Sequence, residues 1–408
     1  MLDKALAIRD KIIEIRRVIH ANPELSFQEF ATARLAAAFL DELGYQVREH
    51  VGKTGIVADR GAGSTVAIRA DMDALPIQEE NEIEHRSRVA GVMHACGHDA
   101  HVACALGAAV LLAQENLNGR IRILLQPAEE TGDEDSKSGA ARMIEDGAMD
   151  GVDAVLGLHV SASLPAGAIG IRPGPIMAAS DSFHLKIIGH AAHGARPQDG
   201  VDAVALAAQV INAIHQIVSR RISPLAPGVI TIGTIQGSSA RANIISQSVD
   251  MTGTIRSFDE KLRKLLHQEL RHACEMSKAL GGSYELTIKQ GCPVTINDPK
   301  LAELVHSTAI DLLGEDKVII VEPDMGSEDF ALLAQQAPGC YFWLGAAIKD
   351  DPRHHHSPRF DIDESALHIG AAMFAEVSKR ILGWKSEAAE KGKLDDFMAF
   401  RQSRKKPE

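Results

Sequence analysis

Apolar residues near the start of the chain recur at helical spacing and predict a first helix over about residues 3–20. This helix should stop before Asn22 and Pro23, because the residue before a proline disfavours helical geometry. Ser26 and Glu29 then have the spacing of a capping box, which predicts a second helix that Gly44 closes.

Strand-like runs follow and alternate with helical segments. The runs TVAIRAD, RIRILLQP and AVLGLHV are rich in β-formers and end in polar residues, and helices are expected over 98–115 and 138–146. This pattern predicts an α/β fold, in which ligands usually bind at the carboxyl ends of the strands.

The order of elements changes between about residues 180 and 290. Four strands and two helices, expected over 201–219 and 259–280, follow one another there as β-α-β-β-α-β, the ferredoxin-like arrangement. After Pro293 the α/β pattern resumes with the strands VIIVE and CYFWLG and a last long helix from Asp363.

One domain is therefore expected to be inserted in another. The prediction is a discontinuous α/β domain over 1–179 and 291–385 and an inserted domain over 180–290. The charged segment 386–408 is expected to be a loosely docked helix or a disordered end.

Composition narrows the classes of function. The 408 residues carry a formal net charge of −12, which argues against a nucleic-acid or anionic-membrane partner. No apolar run approaches the roughly 18 residues of a membrane helix, and the N-terminus lacks a signal-peptide core, so a cytoplasmic location is expected. The five scattered cysteines fit free thiols rather than a disulfide framework.

Polar residues with metal-ligand chemistry fall at the predicted strand and helix ends. They are Asp71 and Asp73, Cys96 and His98, Glu129 and Glu130, and His159. Each alone has an ordinary explanation as a turn, loop or core residue. Together they fall on one expected edge of the sheet, and cysteine, histidine and carboxylate are the ligands of zinc and related divalent metals.

The adjacent glutamates support this interpretation, because neighbouring carboxylates repel each other unless a cation lies between them. Glu130 would bind a metal, and Glu129 would take a proton from a water molecule whose pKa the metal lowers. The pattern thus indicates hydrolysis.

Eight motifs occur in order along the chain: IRADMDALPIQEE, GVMHACGHDAH, LLQPAEE, GLHV, IIGHAAHGARP, GTIRSFD, GSEDFA and HHHSPRFDIDE. Together they resemble the successive motifs of the M20 metallopeptidase family, in the branch of aminoacylases, hippurate hydrolases and indole-acetyl-amino-acid hydrolases. The resemblance runs from about residue 10 to residue 383.

The resemblance implies a site for two divalent ions per subunit, and Zn, Mn, Co or Ni would suit it. It implies the metal ligands Cys96, His98, Glu130, His159 and His356. Cys96 is the candidate for the ligand shared between the ions, and Glu129 matches the general base. Asp73 and Asp99 look like groups that hold ligand imidazoles in the right tautomer, with turn residues as the alternative.

The resemblance also implies that the inserted domain is a lid through which two subunits form a homodimer. His193, rather than His190, matches the histidine that reaches the partner's active site and stabilises the oxyanion. Asn243 and Arg256 look like substrate contacts, with Arg256 suited to a free carboxylate.

We therefore expect an amidohydrolase that cleaves the acyl amide bond of N-acyl-amino acids, with a small N-acyl-amino acid or a short peptide as the bound partner. A carboxypeptidase or dipeptidase on the same fold remains an alternative, because a peptide bond is itself an acyl amide. A binding protein that keeps the pocket without turnover is a second alternative. A thiol redox enzyme using Cys96 is disfavoured because the sequence has no CxxC pair.

Overall fold

The structure, a computed structural model, describes residues 1–390, with side chains described up to residue 384. Most of the predicted charged tail, 386–408, lies outside the described residues. The described chain divides into two compact units. The first comprises Met1–Gly174, Ile296–Glu322 and the chain from Asp329 on, and the second comprises Pro175–Thr295 and Pro323–Glu328. The predicted inserted domain, 180–290, lies within the second unit.

The first segment of the chain alternates helices with strands, as predicted for an α/β fold. Its helices are α1 (Leu2–Ala7), α2 (Arg9–Ala21), α3 (Phe30–Glu42), α4 (His98–Ala113) and α5 (Gly139–Glu145). Its strands are β1 (Gln46–Val51), β2 (Gly55–Gly61), β3 (Thr65–Asp71), β4 (Arg120–Gln126), β5 (Val152–Pro165) and β6 (Ile169–Ile171). The single first helix that periodicity predicted is in fact two helices, separated at Ile8.

The capping-box prediction is wrong. The α3 helix begins at Phe30, and its first free amides, those of Ala31 and Thr32, donate to the carboxylate of Glu24. Ser26 instead donates to Asp73, and the carboxylate of Glu29 turns into the interior. The S-x-x-E spacing is therefore present without the capping geometry it usually indicates.

The middle of the chain forms the second unit after a short strand, β7 (Gly174–Met177). Its elements follow as β8 (Ala179–Ile188), α6 (Ala203–Gln216), β9 (Gly228–Gly237), β10 (Ser248–Ser257), α7 (Glu260–Cys274), α8 (Met276–Ala279) and β11 (Ser283–Gln290). The strands form an antiparallel sheet in the order β11-β8-β10-β9. The order of elements is the β-α-β-β-α-β pattern read from the sequence.

The remaining elements complete the first unit. They are β12 (Thr295–Asn297), α9 (Pro299–Leu313), β13 (Val318–Ile320), α10 (Phe330–Gln336), β14 (Gly339–Ala347) and α11 (Leu367–Glu390). A two-stranded sheet pairs β7 with β12. Within residues 1–390, no helix combines the length and the apolar character needed to cross a bilayer.

One large mixed sheet organises the first unit, with strand order β1-β2-β4-β3-β5-β14-β6-β13. Its centre is parallel, since β3 pairs in parallel with β4 and β5, and β5 with β14. The α4 helix is buried from His98 to Leu112, as expected of a helix that is apolar on all sides. These elements confirm the α/β class, and they bring the ends of β3 and β4 to the edge where α4 begins.

Candidate metal centre

The parallel strands bring the predicted site residues to one edge of the sheet. The β3 strand ends at Asp71, with Asp73 just beyond it, and β4 ends at Gln126, three residues before Glu129. His159 lies within β5, which is parallel to β3. Strand polarity therefore accounts for the meeting of segments that are far apart in sequence.

A tight turn into α4 adds Cys96 and His98 to this edge. Gly97 between them has a φ of 98°, and a β-carbon at that position would lie 2.3 Å from Val160 Cγ2. Glycine is required on both counts, because other residues are strained at positive φ and would collide with β5. All five cysteines are free thiols, as predicted.

The predicted ligands and Glu129 come together as potential metal-binding groups. Three overlapping groups form, in each of which the potential ligand atoms lie within 4.8 Å of one another: Cys96, His98 and His159; Cys96, Glu130 and His356; and His98, Glu129 and Glu130. Cys96, His98 and Glu130 each belong to two of these groups, so the three groups form one continuous cluster.

Hydrogen bonds fix the tautomers of two of the histidines. Nδ1 of His98 lies 2.8 Å from the carbonyl oxygen of Asp73, and Nδ1 of His159 lies 2.7 Å from that of Val160. A carbonyl only accepts, so Nδ1 must carry the proton in both rings. Nε2 of each neutral ring is then left with its lone pair, which is the form that binds a metal.

The donor set fits a divalent metal ion. Nε2 of His98 is buried and has no hydrogen-bond partner, a state that is costly unless a ligand satisfies the atom. Burial raises the pKa of the Cys96 thiol to about 12, and a metal ion is the usual agent that converts such a thiol into a thiolate. Nε2 of His356 lies 3.1 Å from Oε1 of Glu130. These thiol, imidazole and carboxylate groups suit zinc and its neighbours among the divalent ions.

Asp73 connects the histidine and glutamate segments of the site. Its Oδ1 lies 3.2 Å from Nδ1 of His98, and its two oxygens accept the backbone amides of Glu129 and Glu130, each at 3.1 Å. Burial alone would raise the pKa of Asp73, but the hydrogen bond with His98 contributes to a net lowering. Asp73 thus orients a candidate ligand imidazole and the backbone of the glutamate pair together.

The prediction for Asp99 is wrong. Its Oδ2 accepts from Nε of Arg16 and lies 2.8 Å from Nδ1 of His20, and neither residue belongs to the candidate ligand set. The first turn of α4 points Asp99 toward α2, where Arg16 is fully buried. Asp99 therefore neutralises a buried arginine and does not orient a metal ligand.

Sequence reasoning left His101 among ordinary core or surface residues, and the structure gives it a specific position. Its Nδ1 lies 2.6 Å from Oδ1 of Asp71, and its Nε2 accepts the amide of Val160, next to His159. Arg69 holds the other oxygen of Asp71 at 2.6 Å. His101 thus connects the end of β3 to β5, and the i, i+3 spacing from His98 was the available signal.

His355 was also missed. Its Nε2 accepts the amide of Ala162 at 3.4 Å, and its Nδ1 lies 3.9 Å from Sγ of Cys96. Desolvation by burial lowers the pKa of His355 to about 4, so the ring is neutral near pH 7. The adjacent His356 has a φ of 61°, a conformation that non-glycine residues seldom adopt.

Three predicted residues belong to the second unit. His193 and Asn243 are exposed on neighbouring loops, where the amide of Gly194 donates to the carbonyl of Asn243 at 2.8 Å. Nδ1 of His193 accepts the amide of Ala195 at 3.1 Å, which leaves Nε2 as its second polar atom. Arg256 is half-buried in β10.

The sequence and the fold are similar to those of known proteins. Residues 67–380 match the model of peptidase family M20/M25/M40. The chain is 42% identical to thermostable carboxypeptidase 2 of Saccharolobus solfataricus, over 90% of its own length and 94% of that protein. It is 39% identical to N-acetyl-L-cysteine deacetylase of Bacillus subtilis, over 95% and 91% of the two chains. The crystal structure of a dinuclear metal-binding M20 peptidase of Bacillus subtilis matches with a TM-score of 0.80 and 33% identity, covering 92% of this chain and 99% of that one. The predicted resemblance is confirmed, and the chain belongs to peptidase family M20/M25/M40 as a metal-dependent hydrolase of amide bonds.

Proposed function

We propose that the protein is a dinuclear metal-dependent amidohydrolase that cleaves the acyl amide bond of N-acyl-amino acids. The products would be a carboxylic acid and a free amino acid. The observation that carries this proposal is the grouping of thiol, imidazole and carboxylate ligand atoms within 4.8 Å, with a second glutamate, Glu129, in the same cluster.

The proposed ligands are Cys96, His98, Glu130, His159 and His356, with the Cys96 thiolate shared between two ions. Zn²⁺, Mn²⁺, Co²⁺ or Ni²⁺ would suit this mixed donor set. When bound, such ions would polarise the substrate carbonyl and lower the pKa of a water molecule at the site.

Glu129 is the proposed general base and acid. Its carboxylate would accept a proton from water as the water oxygen attacks the carbonyl carbon. The same carboxylate would return that proton to the amine nitrogen as the carbon–nitrogen bond breaks. The hydrogen bond from the Glu129 amide to Asp73 supports this role, because it fixes the backbone that carries the base.

The test compares Glu129→Gln with Glu134→Gln, an exposed glutamate of the same loop, on N-acetyl and N-benzoyl amino acids and on dipeptides. We expect Glu129→Gln to keep its metal and lose roughly 10²–10⁴-fold in kcat, the usual contribution of a general acid–base. Glu134→Gln should retain both its metal and its wild-type kcat. Metal-loaded wild-type protein that cleaves no member of the panel would contradict the proposal and favour a binding role.

A carboxypeptidase or dipeptidase is the second candidate, favoured by the similarity to the Saccharolobus carboxypeptidase. The same substrate panel separates the two. A kcat/KM higher for peptides than for every N-acyl-amino acid would favour the peptidase.

We further propose that the second unit is a lid through which two subunits form a homodimer. Its β9 strand lies at the edge of the sheet, with Ile235 57% exposed, and an exposed apolar edge strand is a common site of association. His193 of one subunit would stabilise the oxyanion in the partner's site, and Asn243 and Arg256 would contact the substrate.

Mixing two inactive variants tests this arrangement. A heterodimer of His193→Ala and Glu129→Gln would contain one site with both residues intact if His193 acts across the dimer. Random subunit exchange should then restore roughly a quarter of the wild-type activity, as expected for a symmetric dimer. No recovery, in a mixture shown to exchange subunits, would place His193 in its own subunit's site.

A further inference from the structure

The residue before the glutamate pair has an unusual backbone conformation. Ala128 is fully buried, and its φ of 45° lies in the left-handed region that residues with a β-carbon seldom adopt. It lies between the end of β4 and Glu129. The direction in which the chain leaves Ala128 therefore sets where Glu129 and Glu130 point.

The buried carboxylate of Glu29 holds this conformation. Its Oε1 accepts the amide of Ala128 at 2.9 Å and that of Phe27 at 2.9 Å, and its Oε2 accepts from the hydroxyl of Thr54. Glu29 is fully buried, and all three of its partners are neutral donors. A carboxylate placed in this way is well suited to fix a backbone amide.

The other side of Ala128 is also fixed. Its carbonyl accepts the amide of Gly139 at 2.9 Å, and a β-carbon on Gly139 would lie only 1.6 Å from the carbonyl oxygen of Pro127. The next two amides, those of Glu129 and Glu130, are held by Asp73. A strained backbone persists only where its surroundings over-determine it, and this one is found beside the candidate metal centre.

From this geometry we infer that Glu29 is a positioning residue for the metal centre. It holds Ala128 in the left-handed conformation and thereby aims Glu130 at the metal and Glu129 at the substrate. The inference rests on the proposed function for the roles of the two glutamates. Its structural part, the dependence of the Glu130 ligand on Glu29, can be tested through metal binding alone.

Four variants test the inference, measured by Zn²⁺ affinity and by kcat and KM. Glu29→Ala removes the acceptor, and Glu29→Asp keeps the carboxyl group but withdraws it from Ala128. Both should lose about tenfold or more in metal affinity and in kcat, the usual cost of removing a group that orients a metal ligand. Glu29→Gln keeps an acceptor for the two backbone amides, and its NH2 group can donate to the hydroxyl oxygen of Thr54, so this variant should stay close to wild type.

The fourth variant combines Glu29→Ala with Ala128→Gly. Glycine adopts positive φ without strain, so it should recover much of the loss if Glu29 acts by holding Ala128. Ala128→Gly alone is the control and should bind metal as wild type does. A purely structural role for Glu29 would show no such rescue.

The outcomes are decisive in either direction. Equal metal affinity and kcat in all four variants would overturn the inference. A loss in Glu29→Ala that is just as large in the double variant with Ala128→Gly would also overturn it. If Glu29→Ala fails to fold, the contrast between Glu29→Asp and Glu29→Gln decides. If wild type binds Zn²⁺ but hydrolyses no amide, the proposed function fails while the affinities still test the role of Glu29.

Discussion

Two clusters in the first unit are built from similar side chains but differ in what balances their charge. The arginine cluster consists of Arg16 with Asp99, Asp361, Glu364 and His20. The donor cluster consists of Cys96, His98, Glu130, His159 and His356. Both contain histidines and carboxylates around the N-terminal turn of α4. In the first the protein supplies its own cation, whereas in the second the side chains have the chemistry to receive one.

The arginine cluster shows how completely a buried charge can be satisfied. Arg16 is fully buried and holds three carboxylates at 2.8–3.0 Å. Burial alone would raise the pKa of Asp99, but Arg16 and then His20 outweigh it and hold that pKa far below its usual range. An arginine with three fixed partners leaves no ligand position open, so this cluster is structural.

A third buried acid, Glu29, has another kind of environment. Its donors are the hydroxyl of Thr54 and two backbone amides, and burial raises its pKa to about 7. Three acids thus illustrate three outcomes: buried Asp99 is ionised beside an arginine, partly buried Glu130 lies in a potential metal-binding group, and buried Glu29 retains its proton to near neutral pH.

The largest effect on stability is expected from removing the cation of the arginine cluster. Arg16→Met would remove the buried guanidinium that balances Asp99 and Asp361 and should lower the free energy of unfolding by about 3–5 kcal/mol. Arg17→Met is the matched control, because Arg17 also bonds Glu364 but is 46% exposed, and it should cost below about 1 kcal/mol. Urea titration of the metal-free proteins measures both values. Equal losses of unfolding free energy in the two variants would show that burial of the arginine does not determine the size of the loss.

The donor cluster should behave in the opposite way, with stability that depends on added metal. Zn²⁺ at a thousand times its Kd should stabilise wild type by about 4 kcal/mol. Glu130→Gln should leave the metal-free protein within about 1 kcal/mol of wild type, the range of most surface and near-neutral substitutions, and should lose most of the gain from metal. Glu134→Gln should keep that gain. Thermal unfolding with and without Zn²⁺ measures this stabilisation. If Zn²⁺ stabilises Glu130→Gln as much as wild type, Glu130 is not a metal ligand.

The effect of Glu29→Gln should depend on pH. The native state keeps the Glu29 proton up to about pH 7, whereas the unfolded chain releases it near 4.5. Wild type therefore loses stability as pH rises between these values, and the glutamine variant does not. The variant should gain up to about 3 kcal/mol relative to wild type between pH 4.5 and pH 8. A difference that stays constant across this range would show that the pKa of Glu29 is not raised.

Strand-end patterns predicted part of the donor cluster, and the resemblance to the M20 family implied the complete ligand set, including His356. Polar residues that follow parallel buried strands must meet at one edge of the sheet, as Asp73 and Glu130 do, and His159 lies within the neighbouring parallel strand β5. The fold class and the β-α-β-β-α-β order followed from hydrophobic periodicity in the same way. The antiparallel strands β1 and β2 were not predicted. The β1 sequence QVREHV is largely exposed and lacks a buried run, and the buried run of β2 is only four residues long.

The misassigned residues share a physical cause, which is that their partners are distant in sequence. Ser26 and Glu29 have capping-box spacing, but the groups they contact, Asp73 and Ala128, are 47 and 99 positions away. Asp99 lies one residue from His98, yet its direction depends on how α2 presents Arg16. A local pattern identifies such residues as polar and ordered but does not identify their partners.

The most direct test of the central claim is a count of bound metal ions per chain in wild type, Cys96→Ala and Cys104→Ala. Cys104 is the matched control because it also lies buried near the start of α4, where its thiol donates to the carbonyl of Leu367. The account predicts about two ions in wild type and in Cys104→Ala, as in other two-metal sites, and loss of both in Cys96→Ala, because the shared ligand is gone. Equal metal content in the two cysteine variants, or fewer than one ion in metal-loaded wild type, would contradict it.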